Sequence, residues 1–229
     1  MKRLFFIAMF ILSFTTIYAQ EDVTKFLGIP VDGTKPEMIK KLIEKGYTYD
    51  KESDLLKGEF NGYEVVIGVA TNNNKVYRIF VADKNGLDEA HIRIRYNTLY
   101  EQFKNNPKYT SLEDYSIPED ENIGYEMIIH NKIYSATFYQ KPETSENEVK
   151  NYFNESKSKF NSKYSDINYK QLSDSEKKNL EKELTNDIIS LLSPFFQKQV
   201  WFAIQHIGGQ YHMYIYYDNL RNKANGEDL

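Results

Sequence analysis

Apolar and polar positions alternate most regularly between Leu55 and Asp83, LLKGEFNGYEVVIGVATNNNKVYRIFVAD, and this period of two predicts a three-stranded antiparallel meander. Its register can be tested, because directly opposed residues in an antiparallel pair share one face of the sheet. Asn61-Gly62 is a two-residue hairpin signal and pairs Phe60 with Tyr63, Gly58 with Val65 and Leu56 with Ile67. Asn72-Asn73-Asn74, read as a three-residue loop, pairs Val69 with Tyr77, Ile67 with Ile79 and Val65 with Val81. Both turns nominate the same core face. The other face then carries Lys57, Glu59, Glu64, Val66, Gly68, Arg78, Phe80 and Ala82, a mixed set.

Around the meander the spacing changes to that of helices. The segment before Thr34 is expected to be a loop or short strand held by Phe26, Leu27 and Ile29. Thr34 and Glu37 form a capping box, with Pro36 in the first turn, Met38, Ile39, Leu42 and Ile43 as the apolar stripe and Gly46 as the stop. Asp88 caps a second helix carrying Ile92, Tyr96, Leu99 and Phe103; the stretch from His91 to Tyr96 also alternates like a strand, but the longer stripe favours the helix. The acidic, turn-rich run from Pro107 to Ile123 reads as a connection. A second hairpin is predicted around Asn131-Lys132, pairing Ile129 with Tyr134, Met127 with Ala136 and Tyr125 with Phe138. Ser145 with Glu148, and Ser173 with Glu176, are two more capping boxes. They open one helix with Val149, Phe153 and Phe160 on one side and another with Leu180, Leu184, Ile188 and Leu191 aligned, stopped by Pro194. A last hairpin turns at Gly208-Gly209, pairing Ile204 with Met213 and Phe202 with Ile215.

This order predicts an α+β fold: an antiparallel sheet of about seven strands in hairpins and a meander, with helices mainly on one face. A degenerate duplication would divide the expected domain, residues 20–220, into halves 20–106 and 107–220. The polar run 221–229 reads as a flexible tail.

Composition adds a compartment. Lys2 and Arg3, the apolar run Leu4 to Ile17 and the site Ile17-Tyr18-Ala19 have the form of a secretory signal over residues 1–19, so the chain is expected to be exported, to periplasm or beyond, with no membrane anchor after cleavage. Without Lys2 and Arg3 the chain holds 27 Lys and Arg against 33 Asp and Glu, a net charge of −6, which disfavours nucleic acid as a partner. There is no cysteine, so the fold stands on its core and not on disulfides. The 19 Tyr and 14 Phe against one Trp suit a sheet-rich fold.

The helix ending in Gly46-Tyr47, followed by Leu56, Gly58, Phe60, Asn61 and Gly62, resembles uncharacterised secreted bacterial proteins whose helix-plus-meander units are similar to those of β-lactamase-inhibitor-like folds. The resemblance covers about the first third of the chain after the signal and implies a protein-binding or envelope-associated module. It carries over no functional residue.

Candidate chemistry is sparse. His206 and His212 flank the last turn, but the two-residue register sends them to opposite faces, so no metal site is expected, and no cofactor. Glu59 and Glu64 are opposed across the first hairpin; such a pair can share a proton or hold a cation, or be relieved by Lys57, Arg78 or water. No nucleophile elbow or phosphate loop occurs, and no catalytic residue is nominated. His91, Arg93 and Arg95 form a small basic cluster, read as an anion contact or, in preference, as a solvated face balancing residues 113–121. In the last hairpin Trp201 falls opposite Tyr216, Ala203 opposite Tyr214 and Gln205 opposite His212. An aromatic stripe edged by amide and imidazole suits a protein or glycan partner, unless helices bury it. The reading is therefore a non-enzymatic exported binding module acting through a sheet face or edge. Its alternatives are a carboxylate hydrolase at Glu59 and Glu64, or a structural envelope protein.

Overall fold

The computed structural model describes residues 22–143, 145–165 and 167–224. The expected signal segment lies outside the described residues, as do residues 225–229 of the expected tail. Among the described residues the chain forms ten strands and five α-helices. A two-stranded ribbon, β1 (Lys25–Phe26) and β2 (Ile29–Pro30), precedes α1 (Lys35–Glu44). Then come β3 (Thr48–Asp50), β4 (Leu55–Phe60), β5 (Tyr63–Asn72), β6 (Lys75–Asp83) and α2 (Glu89–Lys104). The second part holds β7 (Tyr109–Thr110), α3 (Ile123–Ile129), β8 (Ser135–Gln140), α4 (Glu146–Tyr164), α5 (Asp174–Phe196), β9 (Lys198–Ile207) and β10 (Gln210–Asn219). Strands β3 to β10 make one antiparallel eight-stranded sheet in the order β3-β4-β5-β6-β10-β9-β8-β7, so the fold is α+β. Pairing of β6 with β10 joins the two parts of the chain into that one sheet.

The core face is organised in rows that cross the sheet. Leu56, Ile67, Val81, Ile215, Phe202 and Ala136 follow one another through successive strand pairs, and all are buried. A second row runs Val69, Ile79, Tyr217, Val200 and Phe138. Helix α1 buries Met38 and Leu42, whereas Ile43 of the predicted stripe is exposed. Helix α2 sets Tyr96 edge-on against Phe202 and stacks Phe103 on Phe138 and Phe202. Both helices therefore sit on the same face, as the expected apolar stripes require.

The second turn departs from its expected form, with a consequence for the core. Asn73 and Asn74 both take positive φ, 47° and 61°, so the loop has two residues and Asn72 pairs with Lys75. Between Ala70 and Thr71 the register then shifts, because Ala70 faces Arg78 while Thr71 faces Val76, leaving Tyr77 as the extra residue of a bulge. Beyond it Val69 pairs with Ile79, Ile67 with Val81 and Val65 with Asp83, two residues from the predicted partners. An even shift keeps Val65, Ile67, Val69, Ile79 and Val81 on the core face, and Asp83, two residues beyond Val81 on that same face, comes to stand across from Val65. That carboxylate is met by Arg95 of α2, at 3.2 and 3.3 Å, with both side chains almost wholly buried. The Arg95 guanidinium also lies 3.7 Å from the centroid of the Tyr63 ring. Burial pushes the Asp83 carboxyl up, and Arg95 opposes that shift. Arg95 is thus a core residue and not part of a solvated basic face.

Three further expectations are corrected. Residues Ile123–Ile129 form α3, not the first strand of a hairpin: the Asn122 side chain accepts from the Tyr125 N–H at 2.8 Å, and the Glu89 carboxylate accepts from the N–H groups of Ile123 and Gly124. A capped and charge-complemented helix start outweighs an alternating pattern only a few residues long. Strand β8 pairs with β9 and β7 instead. Pro194 does not end its helix, which runs to Phe196. The tail begins under restraint, since the Asn222 amide donates to Asp32 and to the Val76 carbonyl.

Helices α4 and α5 form an arm inserted between the adjacent strands β8 and β9. Their capping boxes at Ser145 and Ser173 are present as expected. Lys163 bridges to Glu183 and Asp187, and the Tyr152 hydroxyl donates to the Leu191 carbonyl. Of the residues of either helix whose burial is described, none is buried, and Phe153 and Ile188 of the expected stripes are exposed.

Replacing Arg95 by Met leaves Asp83 buried without its cation and is expected to lower stability by about 3–5 kcal/mol in urea denaturation. Replacing both members, Asp83→Leu with Arg95→Met, is expected to recover most of that loss. A double variant no better than the single one would mean the pair does not act as a unit.

Candidate functional site

The face of the sheet opposite α1 and α2 is built by placing large side chains over small ones. One row runs Gly68, Phe80, Tyr216, Trp201 and Thr137 through five strands. The Phe80 ring lies so close over Gly68 that a Cβ there would sit 2.0 Å from it, which is why a glycine occupies that position in a strand. The next row is Val66, Ala82, Tyr214, Ala203 and Ser135, with Tyr214 flanked by two alanines. Every pairing expected for the last hairpin is present, including Trp201 with Tyr216 and Gln205 with His212.

Trp201 and Tyr216 stack at 4.0 Å between centroids with planes 16° apart, and Tyr214 continues the stack at 6.3 Å. Arg78 covers both ring systems, its guanidinium carbon 4.9 Å from the Tyr216 centroid and 5.5 Å from that of Trp201. Asp218, opposite Arg78 in the register, takes two hydrogen bonds from it at 2.6 and 2.7 Å and a third from Trp201 Nε1 at 3.1 Å. The Asp218 carboxylate raises the pKa of Arg78 still further, so the cation is permanent. Trp201, Tyr214, Tyr216 and His212 are half-buried and Gln205 is exposed. His212 Nδ1 lies 3.2 Å from the Asp83 carbonyl. Helix α5 meets this same face at β8, where its Phe196 packs edge-on against Tyr139, two residues along the strand from Thr137.

Glu59 and Glu64 are opposed as expected, on the same face but at its far edge. Both are exposed. The Asn85 amide and then Lys84 hold the Glu64 carboxyl below its usual range, the opposite of what a general acid needs. His91 pairs with Asp88, and Arg93 donates to Glu89 and to the Glu121 carbonyl, within the acidic connection expected to balance it. Among the described residues no group of three or more His, Asp or Glu is placed to hold a metal ion.

No family model, curated protein or solved structure matches this chain. The reading of its sites therefore rests on geometry alone.

Sequence reasoning missed a cleft at the other end of the sheet. It has a volume of about 780 Å³ and is bounded by β1, the loop from Asn106 to Lys108, and the ends of β8 and β9. Its residues come from five separate segments, and no spacing along the chain announces their meeting.

Trp201 is the single tryptophan, so its fluorescence reports directly on the stack. Arg78→Ala strips the cation from a buried carboxylate and is expected to destabilise by about 3 kcal/mol, with a red-shifted Trp201 emission. Trp201→Phe keeps a ring and loses one hydrogen bond, for about 1–2 kcal/mol. Equal unfolding midpoints for the two variants would show that Asp218 does not depend on Arg78.

Proposed function

We propose that this chain is an exported, non-enzymatic binding module that takes a protein partner on the second face of its sheet. The observation that carries this reading is the Trp201–Tyr216 stack with Arg78 over it, on a face that α1 and α2 leave alone. Trp, Tyr and Arg are the side chains that dominate binding energy at protein interfaces. The stack also favours a protein over a glycan. A sugar uses the flat face of an aromatic ring, and one face of Trp201 and one of Tyr216 are taken by each other. Half-buried aromatic side chains beside the exposed Gln205 amide suit a mixed polar and aromatic contact.

A face is favoured over an edge because both edge strands are short, β3 with three residues and β7 with two. Strand addition needs a longer row of free backbone groups. The resemblance to β-lactamase-inhibitor-like units points toward protein binding as well, by analogy of fold. The signal-like start of the sequence supports export.

Variants Tyr214→Ala and Gln205→Glu change this face without touching the Arg78–Asp218 pair. Against a partner recovered by the wild-type chain from its own cell envelope or surroundings, each is expected to weaken binding at least about tenfold, with an unchanged melting temperature for the change at the exposed Gln205. Equal binding by wild type and both variants, or recovery of no protein, would sink the reading. Retention on polysaccharide in place of protein would move it to a glycan.

A further inference from the structure

The cleft at the β8 end is separate from the Trp201 face and is chemically lopsided. Lys198 projects into its wall although it is only 3% exposed. Its ammonium donates to Asp22 Oδ1 at 2.7 Å and to the Lys141 carbonyl at 2.6 Å. An ammonium has three donors, so one is left for the cleft. Tyr217 lines both this cavity and an adjoining one of about 160 Å³. Its side chain is buried, and among the described residues its hydroxyl has no hydrogen-bond partner. Burial, with Tyr109 and Tyr47 nearby, raises the pKa of the Tyr217 phenol well above its usual value, so the hydroxyl keeps its proton and is available as a donor.

The acceptors in the same wall are already used. Gln140 Oε1 accepts from the Lys25 N–H at 2.8 Å, the Tyr109 hydroxyl accepts from Gln140 Nε2 at 3.1 Å, and Glu143 holds the Lys25 ammonium at 2.6 Å. At the rim, Lys108 and Lys141 have no carboxylate partner among the described residues. In a chain whose formal net charge is −4, this cleft has an excess of cations and free donors. Leu27, Pro107 and the Tyr109 ring supply apolar wall, and the volume is that of a small-molecule site.

We propose that this cleft binds a small organic oxyanion, with the Lys198 ammonium and the Tyr217 hydroxyl as inner donors and Lys108 and Lys141 drawing the anion in. Carboxylate and phosphate share this chemistry, and two probes separate them. The full chain is titrated by calorimetry at low ionic strength with inorganic phosphate and, separately, with benzoate. One of them is expected to saturate a single site per chain. Phosphate saturation assigns a phosphorylated ligand; benzoate saturation without phosphate assigns a carboxylate. Tyr217→Phe removes a hydroxyl that bonds nothing in the fold, so the melting temperature is expected to hold while affinity falls at least about tenfold. The double variant Lys108→Ala with Lys141→Ala is expected to weaken binding and flatten its salt dependence. Saturation by neither probe, or equal affinity in wild type and Tyr217→Phe, overturns the proposal.

Discussion

Asp83 and Arg95 are drawn out of water together, and much of the architecture follows from that requirement. A lone carboxylate on the core face would be untenable, since isolated buried charge costs far more than a domain's net stability. Alternation from Val81 puts Asp83 there, the bulge at Tyr77 sets it across from Val65, and α2 must then cross the sheet at the one height where Arg95 reaches it. Replacing the pair by well-packed apolar residues need not destabilise such a core, so its value lies in fixing position. It sets where α2 sits, and α2 in turn supplies Tyr96 and Phe103 to the aromatic centre and Glu89 to the start of α3. One buried ion pair is thereby tied to the placement of elements on both halves of the chain.

The two faces of the sheet solve burial in different ways. On the core face, rows of aliphatic and aromatic residues are covered by helices. On the second face, side chains cover one another: Phe80 lies over Gly68, Tyr214 sits between Ala82 and Ala203, and Arg78 caps the Trp201–Tyr216 stack. This keeps that face from presenting a continuous greasy surface. It also fixes the rings rigidly, which lowers the entropy lost when a partner settles on them.

How much of this was legible in the sequence depended on how many independent signals bore on each element. The last hairpin was fully readable because Gly208-Gly209 and two apolar faces agree on one register. All three capping boxes and the Asp88 cap stand where the side chains placed them. The second meander turn was readable as to face but not register, because three asparagines serve a two-residue or a three-residue loop equally well. The stretch Tyr125 to Ile129 was misread as strand since the decisive group, the Glu89 carboxylate, lies far off in the chain. Arg95 looked like a surface charge for the same reason: its partner, Asp83, lies on another element, at the end of β6. The Trp201 face was legible because one hairpin builds it, whereas the Lys198 cleft draws on five segments and was not.

The arm of α4 and α5 leaves and rejoins the sheet at neighbouring points, since Tyr139 of β8 stands directly across from Gln199 of β9. To the sheet it is therefore a long loop whose ends are already closed. The entropy of closing a loop rises only with the logarithm of its length, by about 0.6 kcal/mol per doubling. Phe196 of α5 meets Tyr139 of β8, but none of the arm residues whose burial is described is buried, so those residues add little to the core. Such a segment is free to lengthen, shorten or change its surface over generations while the barrier to losing the fold hardly moves, which makes it the part of this chain where novelty is cheapest to try.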